Sequence, residues 1–126
     1  MKTYTTQMDA AKQGIITPEM KVVAAKEYRT EEEIRDLVAR GQVAKRHTCI
    51  DPNGVGSMLR TKINVNLGVS RDCKDYDVEM KKVMAAVDMG AEAIMDLSSH
   101  GNTQPFRQKL TGECPAMIGT VPVYDS

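Results

Sequence analysis

Lys62–Ser70 reads KINVNLGVS, and the fold is decided on this stretch. Ile63, Val65 and Leu67 alternate with Asn64 and Asn66, the period-two pattern of a β-strand. Asparagine is poorly suited to strands, so two amides on one face call for a reason beyond local propensity. If that face opens on a cleft or a barrel interior, the amides offer donors and acceptors to a polar ligand; otherwise they hydrogen-bond neighbouring backbone and hold a loop.

The sequence that follows sets the topology. A helix is predicted near Asp75–Met89, where Met80, Val83, Met84 and Val87 share a face, Glu79 can pair with Lys82, and Gly90 marks the end. Strands are predicted at Lys62–Leu67, Ala93–Leu97 and Met117–Val123, with a shorter helix near Thr103–Leu110 between the last two. Strands alternating with crossover helices imply a parallel sheet with right-handed connections, hence an α/β fold. AIMDL and MIGTVPV are nearly unbroken apolar runs, as expected of strands covered on both faces. Pro122 limits the last strand because it cannot donate a ladder hydrogen bond.

Upstream, residues 1–44 read as short helices. Thr5–Gln13 is closed by Gly14; Thr17-Pro18-Glu19 supplies an N-cap, a proline at the first helical position and an early acid; Thr30 and Glu33 form a capping box before Ile34, Leu37 and Val38. Residues 45–58 (KRHTCIDPNGVGSM) carry many turn formers and no periodicity, and read as a loop. The expected organisation is a helical segment at 1–44, a loop at 45–58 and βα units at 59–126.

The 126 residues suit one small domain. Seventeen basic and seventeen acidic residues cancel, which argues against a general attraction to nucleic acid or to an anionic membrane. Nine Met against one Phe and no Trp predict a core of adaptable, unbranched side chains. Cys49, Cys73 and Cys114 show none of the close spacings of metal or redox motifs and read as free thiols. With no signal-like or membrane-length apolar run, a soluble cytoplasmic protein is expected.

Ligands of parallel α/β folds gather beyond the carboxyl ends of the strands, so the polar sequences after Leu67, Met95 and Pro122 are where a site is expected. Asp96, Ser98, Ser99 and His100 contain the residue types of a hydrolytic triad, but the run is more simply a capped turn. His47 and Cys49 lack the paired spacing of a metal site. PNGVGS (Pro52–Ser57) follows no predicted strand and lacks the Lys-Ser/Thr of a phosphate loop. Glu31, Glu32 and Glu33 sit where a helix dipole favours acids.

TTQMDAAKQGIITPEM, LRTKINVNLGVS, GAEAIMDLSSHG and MIGTVPVYDS, in this order and spacing, resemble the N-terminal part of the phosphomethylpyrimidine synthase family, especially its shorter clostridial type. A paralogous family, the 5-hydroxybenzimidazole synthases, shares much of the pattern and acts on the same substrate. The resemblance implies N-terminal helices followed by the first three βα units of a (β/α)8 TIM barrel. It implies a radical S-adenosylmethionine lyase that converts aminoimidazole ribotide into hydroxymethylpyrimidine phosphate for thiamine, with a [4Fe-4S] cluster, S-adenosylmethionine and zinc. By the same resemblance, Asn66 in VNLG, Met95 in IMDLSS and Tyr124 in VPVYDS hold the substrate, with Asn64 behind them.

The family's cluster cysteines, its metal-binding histidines and its strands beyond the third have no counterpart in these residues, and the Ile-Pro-x-Asn segment that family members carry after the position of Ala44 is missing. Three strands cannot close a barrel. The expectation is therefore a truncated product, a fragment, or one piece of a split protein, inactive alone, with a second copy in a homodimer or a complementing C-terminal polypeptide as its expected partner. A non-catalytic ribotide-binding module is the alternative from another class.

Overall fold

The computed structural model describes residues 3–44 and 51–125. The chain divides into two compact units, the first made of residues 1–48 and 52–61, the second of 49–51 and 62–126.

The first unit packs three helices, α1 (Gln7–Lys12), α2 (Pro18–Glu27) and α3 (Glu31–Ala39), around Ala10, Ala11, Met20, Val23, Ala24, Ile34 and Val38. Each helix starts on a threonine. Thr6 accepts from the Asp9 N–H, Thr17 from the Met20 N–H, and Thr30 from the Glu33 N–H while Glu33 accepts from the Thr30 N–H in return. These caps satisfy N–H groups that no helical carbonyl can reach. Thr17 also donates its hydroxyl to Gln7 Oε1 at 2.6 Å, tying the start of α2 to α1.

Two short strands, β1 (Val43–Ala44) and β2 (Val55–Gly56), pair antiparallel in this unit. The second lies inside the stretch read from sequence as loop; two residues are too few to carry a visible period. Pro52 and Asn53 are anchored as well, since Lys26 Nζ donates to the Pro52 carbonyl at 3.0 Å and to Asn53 Oδ1 at 3.3 Å. That contact gives the PNGVGS segment a structural role. His47 and Cys49 lie outside the described residues.

The second unit is β3 (Asn64–Leu67), α4 (Tyr76–Asp88), β4 (Ala93–Asp96), α5 (Gln104–Glu113), β5 (Met117–Thr120) and a 3-10 turn at Pro122–Asp125. Its sheet is parallel in the order β3-β4-β5, with Asn66 beside Met95 and Met95 beside Gly119. This confirms the α/β class and the βαβαβ order expected from the sequence. One expectation needs correction: the last strand stops at Thr120 rather than at Val123. Pro122 has no N–H for the ladder, and its fixed φ suits the tight turn that replaces the strand.

Alternation divides the sheet into two faces. Val65, Leu67, Ile94 and Ile118 pack toward the helices, joining Met80, Val83, Ala86, Phe106, Leu110, Cys114 and Ala116 in one core. Ile94 and Leu110 are fully buried, each worth roughly 1.5–3 kcal/mol by area. Tyr76 and Phe106 bring α4 and α5 together, their ring centroids 5.2 Å apart. Asn64, Asn66, Met95 and Gly119 occupy the opposite face.

The methionine-rich core anticipated from composition is not what forms. Met20 and Met80 are buried, whereas Met58 and Met89 stand 68% and 83% exposed. Among the described residues no helix is long and apolar enough to cross a membrane.

Candidate functional site

The carboxyl ends of β3, β4 and β5 carry a lateral row, Asn66, Met95 and Gly119, on the face turned away from the helices. Asn64 Nδ2 donates to Asn66 Oδ1 at 3.4 Å. The amides therefore bond to each other along the strand. With Oδ1 accepting from Asn64, the Nδ2 donors of Asn66 are the part of that amide free to meet a ligand acceptor. The Met95 side chain leans the other way, over Gly119, its Cε and Sδ reaching within 2.8 and 2.9 Å of where a Cβ would sit.

A buried polar frame holds the turns behind this row. The parallel ladder runs past the strands, with the Leu97 N–H bonding the Leu67 carbonyl at 2.7 Å and the Ser99 N–H bonding the Val69 carbonyl at 3.1 Å. Ser98 Oγ accepts from the Val69 N–H, and Asp96 Oδ1 accepts from the Ser98 N–H. Arg107 Nε, from α5, donates to Asp96 Oδ2 at 2.8 Å. On the other side Glu79 Oε2 accepts from the Gly68 N–H at 3.0 Å while Lys82 Nζ donates to Glu79 Oε1 at 2.6 Å. The hydrogen bond that Lys82 donates to Glu79 favours the ammonium and raises the Lys82 pKa.

The frame decides the Asp96, Ser98 and His100 question. Asp96 is fully buried on the helix-facing side and is engaged by Arg107 and Ser98, so its carboxylate braces a turn. His100 is exposed, and its carbonyl accepts from the Tyr76 hydroxyl at 3.1 Å. The run after β4 is the capped turn that the sequence suggested.

Tyr124 lies in the 3-10 turn after β5 and lines an open cleft of about 740 Å³ with Ser99, His100, Gln104, Arg107 and Gln108. Asn66 and Met95 are not among that cleft's lining residues. The structure thus joins two of the three expected substrate-holding residues in one row and sets the third on the cleft beyond the same strand ends.

Among the described residues no group of three or more His, Cys, Asp or Glu side chains could hold a metal ion. Cys73 is exposed and Cys114 sits in the apolar core, where burial pushes its thiol pKa up. The donor set of the described residues therefore does not fit an iron–sulfur cluster or zinc.

The description of the Radical SAM ThiC family matches residues 6–126 of this sequence. The chain belongs to that family. It is 58% identical to phosphomethylpyrimidine synthases of Alkaliphilus oremlandii and Clostridioides difficile and 56% identical to that of Clostridium botulinum strain Hall. In each comparison 98% of this chain is covered, while it spans 29% of the length of the relative.

Arg107, Gly68 and Gly119 were not singled out from sequence. Asp96 and Glu79 interrupt apolar patterns, which signals a buried carboxylate with a partner, but neither pattern names Arg107 or the Gly68 N–H as that partner. A glycine inside a strand signals close approach of another group, and Gly119 carried that signal in MIGTV.

Proposed function

We propose that this chain is the N-terminal part of a phosphomethylpyrimidine synthase, supplying the N-terminal helices and the first three βα units of a (β/α)8 barrel. The reading is supported by the family and by relatives named for that activity over nearly the whole chain. The substrate is aminoimidazole ribotide and the product hydroxymethylpyrimidine phosphate. The naming of the relatives favours this product over 5-hydroxybenzimidazole.

The observation that carries the site assignment is the pairing of Asn66 and Met95 in one row at the carboxyl ends of the strands. In this reading Asn66 donates from Nδ2 to a ribotide acceptor, and Met95 forms a soft apolar wall beside it. Tyr124 offers a hydroxyl from the turn after β5. The S-adenosylmethionine and [4Fe-4S] cluster of the family supply the radical chemistry, and zinc its further metal; their ligands are not found among the described residues. The chain's own task is to hold and shelter the ribotide. The rest of the barrel and the cluster ligands come from sequence beyond these residues or from a complementing polypeptide, in a cytoplasmic protein that works as a homodimer or with that second chain.

Calorimetry with aminoimidazole ribotide tests this reading, with the chain alone and with a polypeptide carrying the remaining barrel strands and the cysteine cluster. Binding is expected to weaken about tenfold in Asn66→Ala and a few-fold in Tyr124→Phe, the scale of one lost hydrogen bond to a ligand. Ribotide turnover is expected when the complementing polypeptide is present. Absence of binding and turnover in a properly assembled barrel would overturn the assignment.

A further inference from the structure

Met95 stands between two neighbours in its row, Asn66 on β3 and Gly119 on β5. Strands in a sheet lie about 4.8 Å apart, so a methionine side chain on β4 is long enough to lean over either neighbour. Here it leans over Gly119, with its Cε and Sδ within 2.8 and 2.9 Å of the position a Cβ would take. Real Cβ atoms do not accept such distances, so any residue other than glycine at 119 would exclude this placement. Leaning toward β5 also means leaning away from Asn66.

We propose that Gly119 is a positioning residue: its missing Cβ gives the Met95 thioether a resting place across β5 and keeps the space beside the Asn66 amide open for the ligand. The proposal rests on the reading of Asn66 and Met95 as ribotide-holding residues. A Cβ at 119 would collide with the far end of a flexible, unbranched side chain and not with backbone. The methionine tip can swing aside, and the helix-facing core around Ile94 and Ile118 lies on the opposite face. Gly119→Ala should therefore fold while turning Met95 toward Asn66.

The test uses the chain labelled with methyl-13C methionine, the Met95 signal being the one lost in Met95→Leu. In Gly119→Ala that methyl resonance is expected to move and to gain contacts with the Asn66 side-chain protons. Affinity for aminoimidazole ribotide is expected to fall about tenfold, the scale of a mild overpacking penalty. In the double variant Gly119→Ala/Met95→Ala affinity should match that of Met95→Ala alone, because the alanine at 119 then has nothing to displace. Gly112→Ala, where a Cβ meets nothing within 4 Å, serves as the control that leaves both readouts unchanged.

An unmoved Met95 methyl in Gly119→Ala would overturn the proposal. So would an affinity loss that persists in full without the Met95 side chain. A displaced methyl with no ribotide response in any form would leave Gly119's hold on Met95 standing and refute the binding role of the row.

Discussion

Arg107 Nε lies 2.8 Å from Asp96 Oδ2, and the carboxylate it meets is fully buried at the end of β4. The pair is one end of a relay that passes from Asp96 Oδ1 to the Ser98 N–H and from Ser98 Oγ to the Val69 N–H. A charge on α5 thereby fixes the turns after two strands, the same strands that present Asn66 and Met95.

Removing the arginine would strand a buried carboxylate. Arg107→Leu is expected to destabilise the fold by about 3–5 kcal/mol, the usual cost of breaking a buried pair from one side. Arg107→Leu/Asp96→Asn should recover a large part of that loss, since the amide keeps an acceptor for the Ser98 N–H and carries no charge. Urea unfolding followed by circular dichroism checks both; equal losses in the single and double variants would show that packing of Arg107, and not its charge, is what matters.

Gly68 predicts a second large effect. Its φ is +144°, and a Cβ there would stand 2.4 Å from the Ser98 backbone nitrogen and 2.7 Å from the Leu97 carbonyl carbon. Backbone atoms held in a ladder cannot move aside as a methionine tip can. Gly68→Ala is expected to cost roughly 2–3 kcal/mol, while Gly119→Ala should cost under about 1 kcal/mol. Comparing their melting temperatures tests the distinction, and equal shifts would refute it.

Much of this architecture is legible in the sequence where one physical signal dominates. Threonine caps at Thr17 and Thr30 locate helix starts because few other residues satisfy the first-turn N–H groups there. Alternation in INVNL identifies a strand and separates Asn64 and Asn66 from the core face. Legibility falls where partners come from afar. The Glu79–Lys82 pair was expected from its spacing, but the burial of the Glu79 carboxylate was not, because that depends on the Gly68 N–H. The pairing of Val43–Ala44 with Val55–Gly56 is likewise a long-range event over segments too short to show a pattern. The Met95 lean toward Gly119 needs the register of β4 against β5, which composition and spacing leave open.

Alkaline conditions should loosen the fold. Burial raises the Cys114 thiol above its ordinary value of 9.0, so from that pH upward the unfolded chain loses a proton that the folded one keeps. Lys82 is raised above 10.5 by its hydrogen bond with Glu79; its contribution is complete below that value and is lost as pH rises through the folded one. The urea midpoint is expected to fall progressively above pH 9.0. Cys114→Ala should flatten the lower part of the decline and Lys82→Met the upper part. A midpoint independent of pH through this window would refute the assignment.

The hydrogen bond from Asn64 to Asn66 leads to a graded prediction for the proposed site. Both side chains are exposed, so changing Asn64 should alter stability by no more than about 0.5 kcal/mol. Asn64→Ala removes a donor that orients the Asn66 amide without reversing it, and ribotide affinity is expected to fall about two- to threefold. Asn64→Asp is the sharper variant, because a carboxylate accepts where the amide donated. It would draw Asn66 Nδ2 toward itself and turn Oδ1 outward to meet the ligand, replacing a donor with an acceptor. The loss should then approach that of Asn66→Ala, about tenfold. Equal affinities for Asn64→Ala and Asn64→Asp in calorimetric titrations would mean that the short bond along β3 does not decide which end of the Asn66 amide faces the ribotide.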